Sequence, residues 1–476
     1  MASVPVVAVI GGGVSGLACA NRLVELKTAS GKAFDLILLE PHARLGGNIV
    51  TEKRDGFILE NGPDSFLREK PWALDLAGRL GLQNEIIGTR NSHPKSFVVR
   101  NGKLLPIPEG FYLIGPSRIL PFLRTPIFSF SGKLRMMSEV FIPRKNDEAD
   151  ESIGSFIRRR FGTECLDRVG QALLAGIYTG DPESLSLLAT MPRFRDFEKK
   201  YGSVIRGLRQ MKGKNRENLS KASGPRYSLF VSFKNGMQTF TDALAARIPG
   251  QSVRLNTAVR KISKDTMTGR WKIETEPGAE VQADAVCLTL PARQTTLLLK
   301  DSLPILSEKL SMLRYESVAT LNIAYSTRDT AHVPDGFGFV SPRTEKKVML
   351  ACTFVDQKFE NRAPEGKRLF RAFIGGAFGA AFLDKSDDEL VQLVQREMRE
   401  LLGITAKPLF WRLRRYPEAM VQYRVGHLDW LSGVRAETEK HPGLSLAGAS
   451  YGGVGIPDCI RDAETHAEKI YMSLRG

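Results

Sequence analysis

Few stretches limit a fold as strongly as Pro5 to Leu17, where the apolar, β-branched run Val6–Ile10 passes directly into Gly11-Gly12-Gly13-Val14-Ser15-Gly16. Such a run predicts a parallel strand covered on both faces. The glycines then fit G-x-G-x-x-G. Gly11 allows a tight turn, Gly13 lets backbone approach a pyrophosphate, and Gly16 lets the following helix pack close to its strand. A phosphate would rest on that helix's N-terminus, where unpaired N–H groups and the dipole favour negative charge. A plain glycine turn would show the same residues, but a second strand, Ala33–Leu39, ends at Glu40, 24 positions after Gly16. An acidic residue there binds ribose hydroxyls in a Rossmann unit and disfavours a 2′-phosphate.

The chain is long enough for two or three domains, and its 42% hydrophobic and 25% charged residues are ordinary for a globular protein. Five cysteines, Cys19, Cys165, Cys287, Cys352 and Cys459, show no C-x-x-C spacing, so a reducing cytoplasm is expected and neither a disulfide framework nor a zinc site. No secretory signal and no bilayer-spanning apolar run is read. The net charge of +16 invites nucleic acid, yet half of it sits in residues 193–226, eleven Lys or Arg against three Asp or Glu. No recognition motif accompanies it, so nucleic acid is not expected. A solvated loop, an anionic membrane surface and an acidic substrate all stay open for this segment.

After Glu40 and Pro41 comes Arg44-Leu45-Gly46-Gly47-Asn48. With the N-terminal turn, this resembles the amine-oxidase-like flavoproteins, which bind FAD and hold a second glycine pair against its phosphates. The resemblance gives Gly46 and Gly47 the close backbone approach and Arg44 the charge facing the pyrophosphate. Glu60-Asn61-Gly62-Pro63-Asp64-Ser65-Phe66 narrows it, being similar to the segment that passes beneath the flavin in porphyrinogen oxidases. Leu173–Ser186, containing Ala175-Gly176-Ile177-Tyr178, and Ala447–Ile460, containing Ala449, Val454, Gly455 and Ile456, resemble further stretches of that family. The likeness runs from residue 5 to about 470.

It implies an α/β fold: a Rossmann-type FAD-binding domain from residues 1–84, 230–296 and 413–476, a mixed-sheet substrate domain at 297–412, and a mostly helical, membrane-facing insertion at 85–229. Within the insertion, Phe111–Phe141 is apolar and broken by Pro116, Pro121 and Pro126; core packing and a lipid-facing surface both account for it. By the same resemblance Val259 holds the adenine through its backbone, and Trp411 returns the chain to the FAD. The final helix, read from Asp462 to Leu474 behind a glycine turn, could stabilise negative charge on the flavin. Gly176 and Ile177 would lie against a tetrapyrrole; Phe337, Phe339 and Phe359, with Arg68 and Lys70, are further pocket candidates.

No catalytic triad, paired-carboxylate pattern or metal-ligand spacing stands out, so the cofactor carries the chemistry. The family reaction is FAD-dependent oxidation of a porphyrinogen to the porphyrin in haem biosynthesis, with O2 as acceptor and hydrogen peroxide released over three rounds. Where many plant and animal members carry an Arg that reaches a propionate, this chain has Lys95-Ser96. Arg68-Glu69-Lys70-Pro71 looks more like the bacterial branch acting on coproporphyrinogen III than like enzymes acting on protoporphyrinogen IX. A flavin amine oxidase or carotenoid desaturase is the enzyme alternative, and a membrane-surface FAD-binding scaffold the non-enzymatic one. A peripheral position on the inner face of the cell membrane and a homodimer stay open.

Overall fold

A computed structural model of the chain describes residues 4–90, 95–210, 230–276 and 278–474. At its centre the strand Val6–Ile10 pairs in parallel with Asp35–Leu39 on one side and Ala285–Leu288 on the other. Val253–Arg254 and Leu444–Leu446 complete a five-stranded sheet. Val7, Ala8 and Val9 are fully buried, as an uninterrupted apolar strand between two covering layers must be. The helices Val14–Ser30 and Ile456–Ser473 cover one face; the antiparallel sheet Val259–Lys264, Trp271–Thr275 and Glu280–Ala283 packs on the other.

A second, seven-stranded mixed sheet forms the other domain, in the order 410–422, 314–326, 367–375, 349–354, 338–340, 96–100 and 103–106. One face carries Ala319, Leu321, Ile323, Ile374 and Phe370 against Leu390, Val394 and Met398 of the helix Asp387–Leu402. That helix starts on a Ser386–Glu389 capping box and stops at Gly403 in the left-handed region. The opposite face is covered at one edge by the helical layer, through Val98 and Val340, and at the other by the strand Phe57–Glu60.

Two sheet boundaries differ from those read in the sequence. Residues 96–106, assigned there to the helical insertion, are a hairpin at the edge of the mixed sheet. Its Asn101-Gly102 turn has φ +49° and +71°, the left-handed pair that two-residue hairpins require. The strand Phe410–Gln422 continues ten residues past 412, because a bulge at Pro417–Ala419 absorbs the proline and pairing resumes at Met420. The final helix begins at Ile456 rather than Asp462, with Pro457 in its first turn.

Apart from the short strands Ile86–Gly88, Phe111–Tyr112 and Gly115–Pro116, the described part of the insertion is mostly helical around Phe122, Phe156, Phe161 and Phe194. Its buried Arg160 pairs with Glu139 and Glu198, and Glu198 also receives Arg159 and Arg195. Part of the positive charge read at 193–210 is therefore answered within the protein: Arg195 is 3% exposed, Arg193 pairs with Glu69 and Lys199 with Glu148. Residues 211–226 of that basic stretch lie outside the described residues. No helix among the described residues is long and apolar enough to cross a membrane.

Candidate functional site

The site is built first from backbone. Gly13 and Gly46 form an isolated parallel bridge, and the Gly46 N–H donates to the Gly12 carbonyl at 2.8 Å. A Cβ on Gly47 would come within 3.0 Å of the Gly13 Cα, and Gly47 sits at φ +57°. A Cβ on Gly16 would lie 1.8 Å from the Gly11 carbonyl oxygen, so helix and strand meet only because it is glycine. The helix Val14–Ser30 has Gly13 as N-cap, no side-chain cap and no acidic residue in its first turn. Its first amides, at Val14 and Ser15, are thus available to an anion.

Glu40, 5% exposed, accepts the Gly12 N–H at 2.7 Å and the His42 N–H at 3.0 Å, which ties the end of the second strand to the glycine turn. Backbone bonds from Glu40 to Arg254 and from Thr257 to Glu40 bring the 254–257 loop alongside, with Val259 two residues on. Arg44 folds back over its own loop and donates to the carbonyls of Leu45, Gly47 and Ile49, so its first role is to hold the 44–49 turn in shape. Pro41 and Asn48 are exposed at the rim.

The third segment packs against the second: a Cβ on Gly62 would lie 1.7 Å from the Asn48 carbonyl oxygen. Sequence reading missed what holds it from beneath. Thr320 Oγ1 and Tyr416 Oη both donate to the Asn61 carbonyl, at 3.0 and 2.6 Å. Asn322 Nδ2 donates to the Glu60 carbonyl at 3.1 Å, and Arg371 donates to the Gly62 carbonyl. These four side chains stand on three neighbouring strands at cross-strand positions, with Val318 opposite Tyr416 and Asn322 opposite Arg371. Only strand pairing brings them together, so no contiguous motif announces them.

Charged groups cluster under Pro63-Asp64-Ser65. Lys358 Nζ pairs with Asp64 Oδ2 at 2.9 Å, and Ser65 Oγ donates to Asp64 Oδ1 at 2.7 Å. Burial alone would raise the Asp64 carboxyl, but Lys358 and Arg371 outweigh it and hold it well below the usual carboxylate range. Burial pushes Glu60 up to about 7, against the opposing Met237 N–H and Arg362. Arg362, 1% exposed, donates to Ser232 Oγ and to the carbonyls of Phe233 and Lys234.

The C-terminal loop closes the cradle. Gly448 lies against Ser15, where a Cβ would be 3.0 Å from Ser15 Oγ, and its N–H donates to Asp462 at 2.8 Å. Ala449 is exposed, its carbonyl held by Tyr423 Oη at 2.6 Å. Val454 and Gly455 follow, and the helix starting at Ile456 has no side-chain cap. Asp458 in its first turn takes Lys70 as a partner, so Lys70 belongs to this helix start rather than to an open pocket. Arg68 is half-buried just before it.

Three of the predicted positions point elsewhere. Trp411 packs with Leu413 on the sheet face covered by the helix Asp387–Leu402, while Tyr416 and Arg414 occupy the opposite face, toward the 60–62 segment. Phe339 lies on that same helix-covered face, 6.3 Å from Phe354. Side chains alternate along a strand, so one residue of register decides which face is reached. Phe359 is fully buried, with Lys358 and Arg362 over its ring, and underlies the cation cluster instead of lining a pocket. Phe337 is half-buried. Gly176, near the end of the helix Gln171–Tyr178, has nothing within 4 Å of where a Cβ would stand, and neighbouring Ile177 is 39% exposed.

A cradle of three glycine-bearing backbones around an uncapped helix start is the arrangement of a dinucleotide-binding protein. More narrowly, the chain belongs to the flavin containing amine oxidoreductases, whose family model matches residues 14–471. It is similar to the coproporphyrinogen III oxidase of Bacillus subtilis (strain 168), 34% identical with 95% of each chain covered. It is also similar to protoporphyrinogen oxidase 1, chloroplastic, of Arabidopsis thaliana, 32% identical over 96% of this chain and 86% of that one. A crystal structure from Exiguobacterium sp. 255-15, provisionally assigned as a protoporphyrinogen oxidase, superposes with a TM-score of 0.86 at 31% identity, covering 99% of this chain and 100% of that chain. The protein is a flavoprotein, and the close backbone approach at Gly13, Gly47 and Gly62 fits FAD.

Gly16→Glu and Gly62→Ala are expected to leave a chain that purifies colourless, because each side chain displaces backbone of the cradle; a flavin absorption spectrum at full occupancy in either variant would contradict the assignment. Glu60 gives a pH signature. The folded state holds its proton up to about 7, whereas an exposed glutamate releases it near 4.5, so the folded protein binds more protons in that window. Stability is therefore lost as pH rises through it. Glu60→Gln should flatten this part of the Tm-versus-pH curve.

Proposed function

We propose that this protein oxidises a porphyrinogen to the porphyrin in haem biosynthesis, with coproporphyrinogen III preferred to protoporphyrinogen IX, O2 as acceptor and hydrogen peroxide as product. Likeness over the whole chain to porphyrinogen oxidases carries the reading. Bound FAD supplies the hydride acceptor and the two-electron path to O2. The chain's own part is positioning: Glu60–Ser65 and the 447–456 loop frame the flavin, and the helix bearing Gly176 roofs the substrate. The vacancy at Gly176 leaves room for a flat macrocycle. Arg414 is exposed on the flavin-side sheet face, and exposed Arg424 bridges to Leu185 beside the helix end. Such cations suit a substrate with more propionates.

The kcat/KM for coproporphyrinogen III, read by porphyrin fluorescence with oxygen uptake, should exceed that for protoporphyrinogen IX by tenfold or more, on the order of 1.4 kcal/mol of discrimination. Gly176→Leu should raise KM for both by filling the vacancy. Anaerobic bleaching of the flavin by an amine and by neither porphyrinogen would sink the reading in favour of an amine oxidase.

We also propose that the insertion rests on an anionic membrane surface. Phe130 is 85% exposed, Phe141 83%, Leu134 65% and Leu120 59%, with Arg118, Arg124 and Lys133 interspersed. An apolar patch with adjacent positive charge is the two-signal arrangement of reversible membrane binding. The double substitution Phe130→Ser, Phe141→Ser should release the protein from phosphatidylserine-containing liposomes while turnover in detergent is retained; unchanged sedimentation with liposomes would remove the idea.

A further inference from the structure

Beneath the Glu60–Ser65 segment three cations, Lys358, Arg362 and Arg371, face two carboxyls, Asp64 and Glu60. Lys358 is ion-paired with Asp64, whereas neither arginine has an ion-pair partner among the described residues. Arg371 is 3% exposed, and its hydrogen bond is to the uncharged Gly62 carbonyl; its Nε, like that of Arg362, has no hydrogen-bond acceptor among the described residues. The Arg371 guanidinium lies 4.7 Å over the Phe373 ring. A buried guanidinium is costly unless a counter-charge answers it. With Asp64 ionised, the cluster keeps an excess of at least one positive charge even if Glu60 is ionised too. In a poorly solvated interior such a charge acts over several ångströms with little screening.

We propose that Arg371 is a positioning residue that also sets the flavin's electron affinity: it fixes the Gly62 carbonyl of the flavin-facing segment and places an unanswered positive charge beneath the cofactor, favouring the two-electron reduced form. This rests on the assignment of Glu60–Ser65 to the flavin site. The missing counter-charge is then supplied by the electrons the cofactor takes up, which is one way a protein tunes a flavin.

The test is the two-electron reduction potential of the FAD-loaded full chain, equilibrated anaerobically against a reference dye, with flavin affinity measured in parallel. Arg371→Met should lower the equilibrium constant for reduction about tenfold or more, about 30 mV for a two-electron couple. Asp64→Asn removes a negative charge from the same cluster and should move the potential upward. Arg371→Lys should stay near wild type, and Tyr416→Phe, which deletes a hydrogen bond to Asn61 without changing charge, should leave the potential in place. Shifts of the same sign in Arg371→Met and Asp64→Asn, no shift in either, or an equal shift in Tyr416→Phe would overturn the proposal. If Arg371→Met does not hold FAD, Asp64→Asn decides: an upward shift supports the proposal and an unmoved potential overturns it. Flavin retained at full occupancy in Gly16→Glu would instead overturn the site assignment, whatever the potentials show.

Discussion

The contact on which everything else depends is backbone against backbone: Gly13 meeting Gly46 and Gly47, with no side chain between them. It locks the turn after the first strand to the loop after the second. The 60–62 segment is then stacked on that loop through Gly62 and Asn48, and the C-terminal loop on the helix start through Gly448 and Ser15. Each layer has its place only if the one beneath has collapsed to van der Waals contact. What the stacked layers offer at their centre is shape and backbone N–H groups, while Arg44 holds the 44–49 turn in place.

How far the sequence disclosed this site depends on how local each part is. The glycine turn, Glu40, the 44–48 loop, the 60–66 segment and the 447–456 loop are contiguous, and glycine spacing reports their geometry directly. Thr320, Asn322, Arg371 and Tyr416 are not contiguous. They converge because three antiparallel strands pair in one register, and a single residue's slip would send all four to the helix-covered face. The same alternation explains Trp411 and Phe339, expected at the cofactor and the substrate pocket and found on the helix-covered face. Phe97–Arg100 is legible as a strand and Asn101-Gly102 as a turn; what no local signal gives is that this hairpin joins the mixed sheet beside Gly338–Val340.

The mixed sheet has two jobs on its two sides. One face is a conventional aliphatic core against the helix Asp387–Leu402. The other trades apolar packing for hydrogen bonds to three successive carbonyls and for a crowd of guanidinium groups; Tyr416 alone feels Arg371, Arg414 and Arg44. Such a face is stable as part of a sheet only because the opposite side supplies the burial. Substitution on the two sides should therefore be read differently, as loss of stability on one and altered cofactor environment on the other.

The parallel sheet also dictates when the cofactor site comes into being. Its central strand is Val6–Ile10, yet its neighbour Ala285–Leu288 follows some 280 residues later in the chain, and the edge strand Leu444–Leu446 and the helix Ile456–Ser473 later still. Until that neighbour pairs, the first strand keeps one open edge, and the face that the 259–283 sheet covers has no partner. The cradle is therefore assembled from chain segments hundreds of residues apart, and it is whole only once the Leu444–Leu446 strand and the Ile456–Ser473 helix have docked on the sheet.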